Sequence, residues 1–298
     1  MTGSLAPPKR VAFLGTPEIA VPLLHAVVDA GVEVSLVVSR ADARRGRRAH
    51  ATPSPVKAAA LELGLPVTDD LAAVLDAGVD LAIVVAYGRI IPAAMLAEVP
   101  MVNVHFSLLP RWRGAAPVER AILAGDEVTG VCLMEVAEAL DAGAVYRRAE
   151  MAITPSTTSA ELRDHLVEAS IPLLRDALTE GFGEPEPQVG EPVYADKLTT
   201  DELRIDWQRP AVELDRLVRV GGAWTTLAGK LLKIWVASPV DADPTGAPVV
   251  PGALHGTRVT CGEGALELAV VQSEGKGRTD AAAWRAGARL DDGVVLGD

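Results

Sequence analysis

Hydrophobic and polar positions in the first hundred residues alternate between short apolar runs and amphipathic stretches. Residues 10–14 (RVAFL) form a short apolar run, and residues 15–31 predict a turn followed by an amphipathic helix that ends at Gly31. The pattern then predicts a strand at 32–38, a helix at 54–63 and a wholly apolar strand at 81–86. This alternation predicts a Rossmann-like α/β fold, with a parallel sheet covered by helices.

The middle of the chain continues the pattern and then breaks it. Predicted elements are a strand from residue 101, a helix at 115–123, strands at 131–136 and 144–153, and a helix at 158–181 that Pro172 is expected to kink. Residues 183–196 concentrate Pro, Gly and Glu, which is typical of a linker. We therefore predict a first domain over 1–183 and a linker over 184–203.

The region after residue 203 has a different pattern. A short helix is predicted at 211–219, and apolar and β-branched runs follow at 224–227, 231–237, 258–260 and 265–271. Glycines and prolines separate these runs, which indicates short strands of a small β-barrel. We predict that this barrel forms a second domain over 204–298.

Composition restricts the class of protein. The chain has 298 residues, of which 49% are hydrophobic and 23% charged, as in ordinary globular proteins. Its two cysteines, Cys132 and Cys261, are far apart and lack ligand-like spacing, so neither a disulfide framework nor a metal site is expected. No run of about 18 apolar residues and no leader-like segment occurs, so we expect a cytoplasmic protein.

The charge distribution changes the picture given by the net charge of −12, which by itself disfavours a nucleic-acid partner. Residues 39–57 contain six basic side chains against Asp42 alone. The basic residues are Arg40, Arg44, Arg45, Arg47, Arg48 and Lys57. Positive charge is thus concentrated in one loop, which makes it a candidate for phosphate contacts.

The candidate chemistry lies in residues 101–117, MVNVHFSLLPRWRGAAP. Asn103 and His105 are two residues apart, so they face the same side of a strand, while Val102 and Val104 face the other. Ligands of open α/β sheets bind beyond the carboxyl ends of the strands, where these polar side chains are predicted to lie. Asp141, in the turn LDAG at 140–143, is predicted to project back toward this strand.

These residues also carry a resemblance to a known family. The stretches NVHFSLLPRWRGAAP and LDAGAVY resemble the methionyl-tRNA formyltransferase family. Further matching stretches are VAFLGTPEIAVPLL, TPSPVK, VVAYGRIIP and YADKLTTDELRIDW, so most of the chain is covered. The resemblance implies a formyltransferase domain followed by an OB-like barrel that binds tRNA.

The resemblance also implies an activity: transfer of the formyl group of 10-formyltetrahydrofolate to the α-amino group of methionine on initiator tRNA. No metal is implied, and a monomer is expected. Such a transfer needs oxyanion stabilisation and proton movement, which Asn103, His105 and Asp141 would supply. Folate would lie along Ser107, Leu108, Leu109 and Pro110, with Ala86, Tyr87 and Gly88 shaping the pterin pocket. The arginines of the basic loop, Arg40, Arg44, Arg45, Arg47 and Arg48, would contact tRNA.

Other interpretations stay open at this stage. Asn103 and Asp141 are also ordinary turn residues, and a single histidine is often structural. The same catalytic domain also fits a formyltransferase acting on an amino-sugar nucleotide or on glycinamide ribonucleotide. A basic loop with a barrel fits a non-catalytic RNA-binding protein. An NAD-dependent oxidoreductase is disfavoured, because only Gly15 stands where a dinucleotide fingerprint needs three spaced glycines.

Overall fold

The computed structural model describes residues 3–44, 51–241 and 250–298. The chain divides into two compact units. The first unit comprises Met1–Pro117, Val128–Ala152 and Leu162–Ala195, and the second comprises Val118–Glu127, Ile153–Glu161 and Asp196–Asp298.

The first unit is built from strands and helices in alternation. Its strands are β1 (Arg10–Gly15), β2 (Glu33–Val38), β3 (Ala43–Arg44), β4 (Ala51–Thr52), β5 (Val67–Thr68), β6 (Leu81–Val85), β7 (Met101–His105), β8 (Arg113–Gly114), β9 (Val128–Glu135), β10 (Val145–Ala152) and β11 (Tyr194–Ala195). Its helices are α1 (Val21–Asp29), α2 (Pro55–Glu62), α3 (Ala73–Asp76) and α4 (Ala93–Glu98), preceded by a 3₁₀ turn at Glu18–Ala20. Helices α5 (Pro117–Ala124) and α6 (Ser159–Glu180) contribute residues to both units.

The main sheet of the first unit has the strand order β10-β9-β7-β6-β1-β2-β5. Strands β7, β6, β1, β2 and β5 run parallel, which confirms the predicted Rossmann-like sheet. Strand β6 is buried along its whole length, as its apolar run predicts. Strand β9 runs antiparallel to both of its neighbours, β7 and β10. Its pairing with β10 follows from the connection over 136–144, which turns the chain back on itself.

Two local contacts fix the ends of the basic loop. Helix α2 begins where the Ser54 hydroxyl accepts a hydrogen bond from the backbone N–H of Lys57, at 3.1 Å. The same hydroxyl lies 2.6 Å from that of Ser39, which follows β2, and both side chains are buried. The loop therefore begins at the carboxyl end of β2 and ends beside it, where α2 starts.

The second unit contains a β-barrel and, besides the residues that α5 and α6 contribute, two helices in the described residues. Its strands are β12 (Trp224–Leu227), β13 (Lys230–Val240), β14 (Ala253–His255), β15 (Arg258–Thr260), β16 (Ala265–Ser273), β17 (Thr279–Asp280) and β18 (Val294–Val295). The helices are α7 (Ala211–Val220) and α8 (Ala281–Ala288), and Asp201–Leu203 is a 3₁₀ turn. The order β12-β13-β16-β15-β14-β18 forms a nearly closed antiparallel sheet. This confirms the predicted OB-like barrel.

The barrel encloses a single apolar core. Leu214 and Leu217 of α7 pack with Leu254, Leu266 and Leu268 of the strands, all at most 2% exposed. Burial of such side chains is worth roughly 1.5–3 kcal/mol each, so this core contributes to the stability of the barrel. Within the described parts of the chain, each helix is too short or too polar to cross a bilayer.

Candidate functional site

The candidate site begins at the carboxyl end of β7. Val102 and Val104 are buried at 0% and 3% exposure, while Asn103 is half-buried and His105 is 5% exposed. Asn103 lies opposite Val84 of β6 and Met134 of β9, and His105 lies opposite Cys132. The alternation along β7 thus gives Asn103 and His105 a common face, as the sequence predicts.

The His105 ring is held through a defined nitrogen. Its Nε2 lies 2.8 Å from the carbonyl oxygen of Trp112. A carbonyl oxygen can only accept, so Nε2 must carry the proton of this hydrogen bond. The other ring nitrogen, Nδ1, lies 3.7 Å from Oδ2 of Asp141, too far for a hydrogen bond but close enough for an electrostatic contact. Nδ1, which lies beside the Asp141 carboxylate, is therefore the ring nitrogen that is available to accept or release a proton.

Asp141 is placed by the turn between β9 and β10. Its backbone has φ of +47°, a left-handed conformation that costs a non-glycine residue about 1–3 kcal/mol. Its Oδ2 accepts a hydrogen bond from the Gly114 N–H at 2.8 Å. Two residues on, a Cβ on Gly143 would overlap the Glu135 carbonyl oxygen, so only glycine fits there. The turn therefore holds the Asp141 carboxylate next to His105, as the LDAG motif predicts.

The turn after β7 presents few side chains. Ser107 is fully buried, and its hydroxyl donates to the Arg111 carbonyl at 2.6 Å. Leu109 packs with the buried Cys132, and burial raises the pKa of the Cys132 thiol. Leu108 and Pro110 are half-exposed. The turn thus offers backbone groups together with the side chains of Leu108 and Pro110.

Ala86, Tyr87 and Gly88 form the loop after β6, the strand that pairs with β7. Ala86 and Gly88 are exposed and have φ of +46° and +72°. The Tyr87 side chain is 2% exposed, and burial raises the pKa of its hydroxyl. Its carbonyl accepts a hydrogen bond from the Thr16 hydroxyl at 3.1 Å. Ala86 and Gly88 therefore present backbone to solvent at the carboxyl edge of the sheet.

The structure describes part of the predicted tRNA-binding set. Nη2 of Arg40 donates to the Gly88 carbonyl at 2.6 Å, which links the start of the basic loop to the loop after β6. The backbone of Arg44 lies in β3 and pairs with Ala51 of β4. Arg45, Arg47 and Arg48 lie outside the described residues.

Two contacts at the candidate site were not predicted from the sequence. The Trp112 carbonyl and the Gly114 N–H hold His105 and Asp141 in place. Both are backbone groups, so the identity of the side chains at Trp112 and Gly114 does not indicate these contacts in the sequence. The φ of +122° at Gly114 and the close Ala195 carbonyl oxygen, 2.9 Å from a Cβ placed there, explain why glycine stands at this position.

Comparison with known proteins gives matches along nearly the whole chain. Residues 9–178 match the family described as formyl transferase, and residues 197–289 match the formyl transferase C-terminal domain. A methionyl-tRNA formyltransferase of Jannaschia sp. is 44% identical over 96% of this chain and 99% of its own length. That of Paenarthrobacter aurescens is 42% identical, with the same coverage of 96% and 99%.

Solved structures share the fold at lower sequence identity. An N-formyltransferase from Helicobacter canadensis, in complex with folinic acid and dTDP-3-aminofucose, has a TM-score of 0.64 at 14% identity and covers 88% of this chain and 98% of its own. HypX from Aquifex aeolicus, in complex with tetrahydrofolic acid, has a TM-score of 0.61 at 19% identity. The match covers 94% of this chain and 47% of the HypX chain.

Proposed function

We propose that this chain, which belongs to the methionyl-tRNA formyltransferase family, transfers the formyl group of 10-formyltetrahydrofolate to the free α-amino group of methionyl-tRNA. The observation that carries the choice of acceptor is the 44% identity over 96% of the chain, which spans both units. Fold alone would not choose the acceptor, because one fold serves several acceptors.

The roles of the site residues follow from their chemistry. Asn103 can donate an amide hydrogen bond to the formyl oxygen as that oxygen gains negative charge. His105 can accept or release a proton at Nδ1, because Nε2 is committed to the Trp112 carbonyl. The Asp141 carboxylate lies 3.7 Å from Nδ1, where its negative charge can offset the positive charge that the ring gains when it takes a proton during transfer.

The folate co-substrate supplies the formyl group and would be held at the carboxyl edge of the sheet. Ala86 and Gly88 present exposed backbone there, and Leu108 and Pro110 add apolar surface. Tyr87, Ser107 and Leu109 have buried side chains, so they would contribute through the backbone and by supporting the turns. This mixture of backbone polar groups and apolar side chains suits a flat aromatic ring with polar edges.

The acceptor assignment is tested by supplying the purified protein with 10-formyltetrahydrofolate and one of three amines. The acceptors are methionyl-tRNA, glycinamide ribonucleotide and an amino-sugar nucleotide. We expect kcat/KM for methionyl-tRNA to exceed the other two by on the order of 10³-fold or more, since a site built for one acceptor leaves polar groups unsatisfied with another.

N-acetylmethionyl-tRNA is the matched control, because it has the same nucleic acid but no free amine. It should not react. Comparable formylation of the amino-sugar nucleotide would contradict the acceptor, and binding of tRNA without any transfer would indicate the non-catalytic alternative.

We also propose that Arg40, Arg44, Arg45, Arg47 and Arg48 form the approach for the tRNA acceptor end. An acidic protein repels RNA unless cations are concentrated where RNA approaches, and residues 39–57 hold six basic residues against Asp42 alone. The loop begins at the carboxyl end of β2, at the edge of the sheet where β7 also ends. Arg40 also has a structural role, because its guanidinium donates a hydrogen bond to the Gly88 carbonyl.

The loop is tested with a variant carrying Ala at Arg44, Arg45, Arg47 and Arg48. Each arginine that binds a phosphate should account for roughly one unit of the slope of log affinity against log salt. Binding of tRNA by the variant should therefore be weaker and less dependent on salt. Arg40 is kept, because its removal would also disturb the loop after β6. Binding of a folate analogue should be unchanged.

Arg175→Ala removes an exposed arginine of α6 and serves as the control. It should leave the slope as in the wild type. Unchanged tRNA affinity and slope in the four-site variant would refute the role of the loop.

The barrel is proposed to add tRNA contacts of its own. On its surface the Arg278 guanidinium lies 3.6 Å from the Trp235 ring centroid, and Nζ of Lys233 lies 5.7 Å from it. Such a cluster offers both charge and a stacking surface to RNA. We further propose a first domain over 1–183, a linker over 184–203 and a barrel domain over 204–298. The protein is also proposed to be a monomer and to act in the cytoplasm, where initiator tRNA is charged.

A further inference from the structure

The predicted linker contains a side chain that reaches the candidate site. Nε2 of Gln188 donates to the carbonyl oxygens of Asp141 and Gly143, at 2.9 and 2.8 Å. Its Oε1 accepts from Nε and Nη2 of Arg113, at 3.0 and 2.7 Å. Arginine only donates and carbonyls only accept, so a single orientation of the Gln188 amide satisfies all four hydrogen bonds.

These hydrogen bonds connect Arg113 to the turn that carries Asp141. Arg113 immediately precedes Gly114, whose N–H donates to Asp141 Oδ2. The two carbonyls that Gln188 contacts are those of Asp141 itself, which has a left-handed backbone, and of Gly143 in the same turn. Gln188 therefore ties the backbone on which the carboxylate stands to the strand that hydrogen-bonds that carboxylate.

The segment around Gln188 is itself anchored to the first unit. Glu186 and Val145 exchange both backbone hydrogen bonds, at 2.8 and 2.9 Å, directly after the Asp141 turn. Strand β11 pairs with β8 at Arg113 and Gly114. Gln188 lies between these two anchors and is half-buried, so its side chain is held over the turn.

We propose that Gln188 is a positioning residue that keeps the Asp141 carboxylate beside Nδ1 of His105. The proposal rests on the proposed function, since it assumes that Asp141 acts in formyl transfer. Nothing in the segment's composition indicates this role, because Pro, Gly and Glu dominate it. Gln188 lies within the predicted linker over 184–203, and this part of the segment belongs to the first compact unit.

The test is Gln188→Leu, which keeps the approximate size of the side chain and removes all four hydrogen bonds. Released from its two carbonyl contacts, the Asp141 turn should shift, and a displacement near 1 Å can cost up to about 100-fold in rate. We expect single-turnover formylation of methionyl-tRNA to slow by roughly 10- to 100-fold, with KM for both substrates within about threefold of the wild type.

A second background separates positioning from general damage. In an Asp141→Asn enzyme, adding Gln188→Leu should slow transfer by less than about twofold, because residues that act through one another are not additive. An equal loss in both backgrounds, or a loss confined to KM, would overturn the proposal and assign Gln188 a structural role. Gln188→Leu with wild-type turnover would overturn it as well.

One control variant and three further measurements keep the outcomes distinct. Gln208→Leu changes an exposed glutamine of the second unit and should leave the rate unchanged. Asp141→Asn with wild-type activity would instead show that the proposed site is wrong, and a wild-type protein that does not formylate methionyl-tRNA would show that the proposed function is wrong. Thermal unfolding of each variant verifies that it is folded at the assay temperature.

Discussion

His105→Gln is expected to lower the rate of formyl transfer by about 10² to 10⁴-fold while the protein remains folded. The glutamine amide can still donate to the Trp112 carbonyl, which His105 Nε2 contacts at 2.8 Å, but it has no titratable nitrogen in place of Nδ1. The loss therefore reports proton transfer rather than the structural hydrogen bond. The measurement is single-turnover formylation of methionyl-tRNA, with thermal unfolding recorded in parallel.

His25→Ala is the matched control, because His25 lies exposed on α1 in the same unit. Its rate should equal that of the wild type. His105→Ala, which also removes the bond to the Trp112 carbonyl, should be at least as slow as His105→Gln and less stable. A His105→Gln enzyme within a few-fold of the wild-type rate would remove His105 from the mechanism.

Asp141→Asn is expected to slow transfer by about 10²-fold or more. An asparagine keeps an oxygen that can accept the Gly114 N–H, now 2.8 Å from Oδ2, so the turn should retain its shape. What it loses is the negative charge 3.7 Å from Nδ1 of His105. The same single-turnover assay measures the effect, with folate-analogue binding as a second readout that should stay within a few-fold.

Asp29→Asn, at an exposed position near the end of α1, is the control for the loss of one carboxylate. It should not change the rate. If Asp141→Asn retained the wild-type rate while His105→Gln did not, the carboxylate would be a turn residue, as its motif alone also allows.

Much of the fold could be predicted because its elements carry strong local patterns. Strands β12 and β15 begin and end where the apolar runs 224–227 and 258–260 do. Helix α8 and the short strands β14 and β18 were not predicted. In α8 only Ala281 and Trp284 are buried, so the helix lacks the apolar stripe by which helices are recognised.

The part of the candidate site that is formed by side chains could be predicted from the sequence. Asn103 and His105 are two residues apart on one strand, and their common face follows from strand geometry alone. Asp141 was predicted to approach them, and its carboxylate lies 3.7 Å from His105. The family resemblance is confirmed by relatives that are 40–44% identical over nearly the full length of the chain.

The supporting contacts could not be predicted, for two physical reasons. Trp112 and Gly114 act through backbone groups, which every residue possesses. Gln188 is 47 residues from Asp141 in the chain and lies in a segment whose composition is that of a linker. Only the folded chain brings these groups to the site.

We propose that His105 and Asp141 act as one unit in formyl transfer to methionyl-tRNA. The decisive comparison is the single-turnover rate of the double variant His105→Gln/Asp141→Asn beside that of each single variant. Because residues acting as a unit are not additive, we expect the double variant to be no more than a few-fold slower than the slower single variant. Rate losses that multiply, or a double variant near the wild-type rate, would contradict the claim.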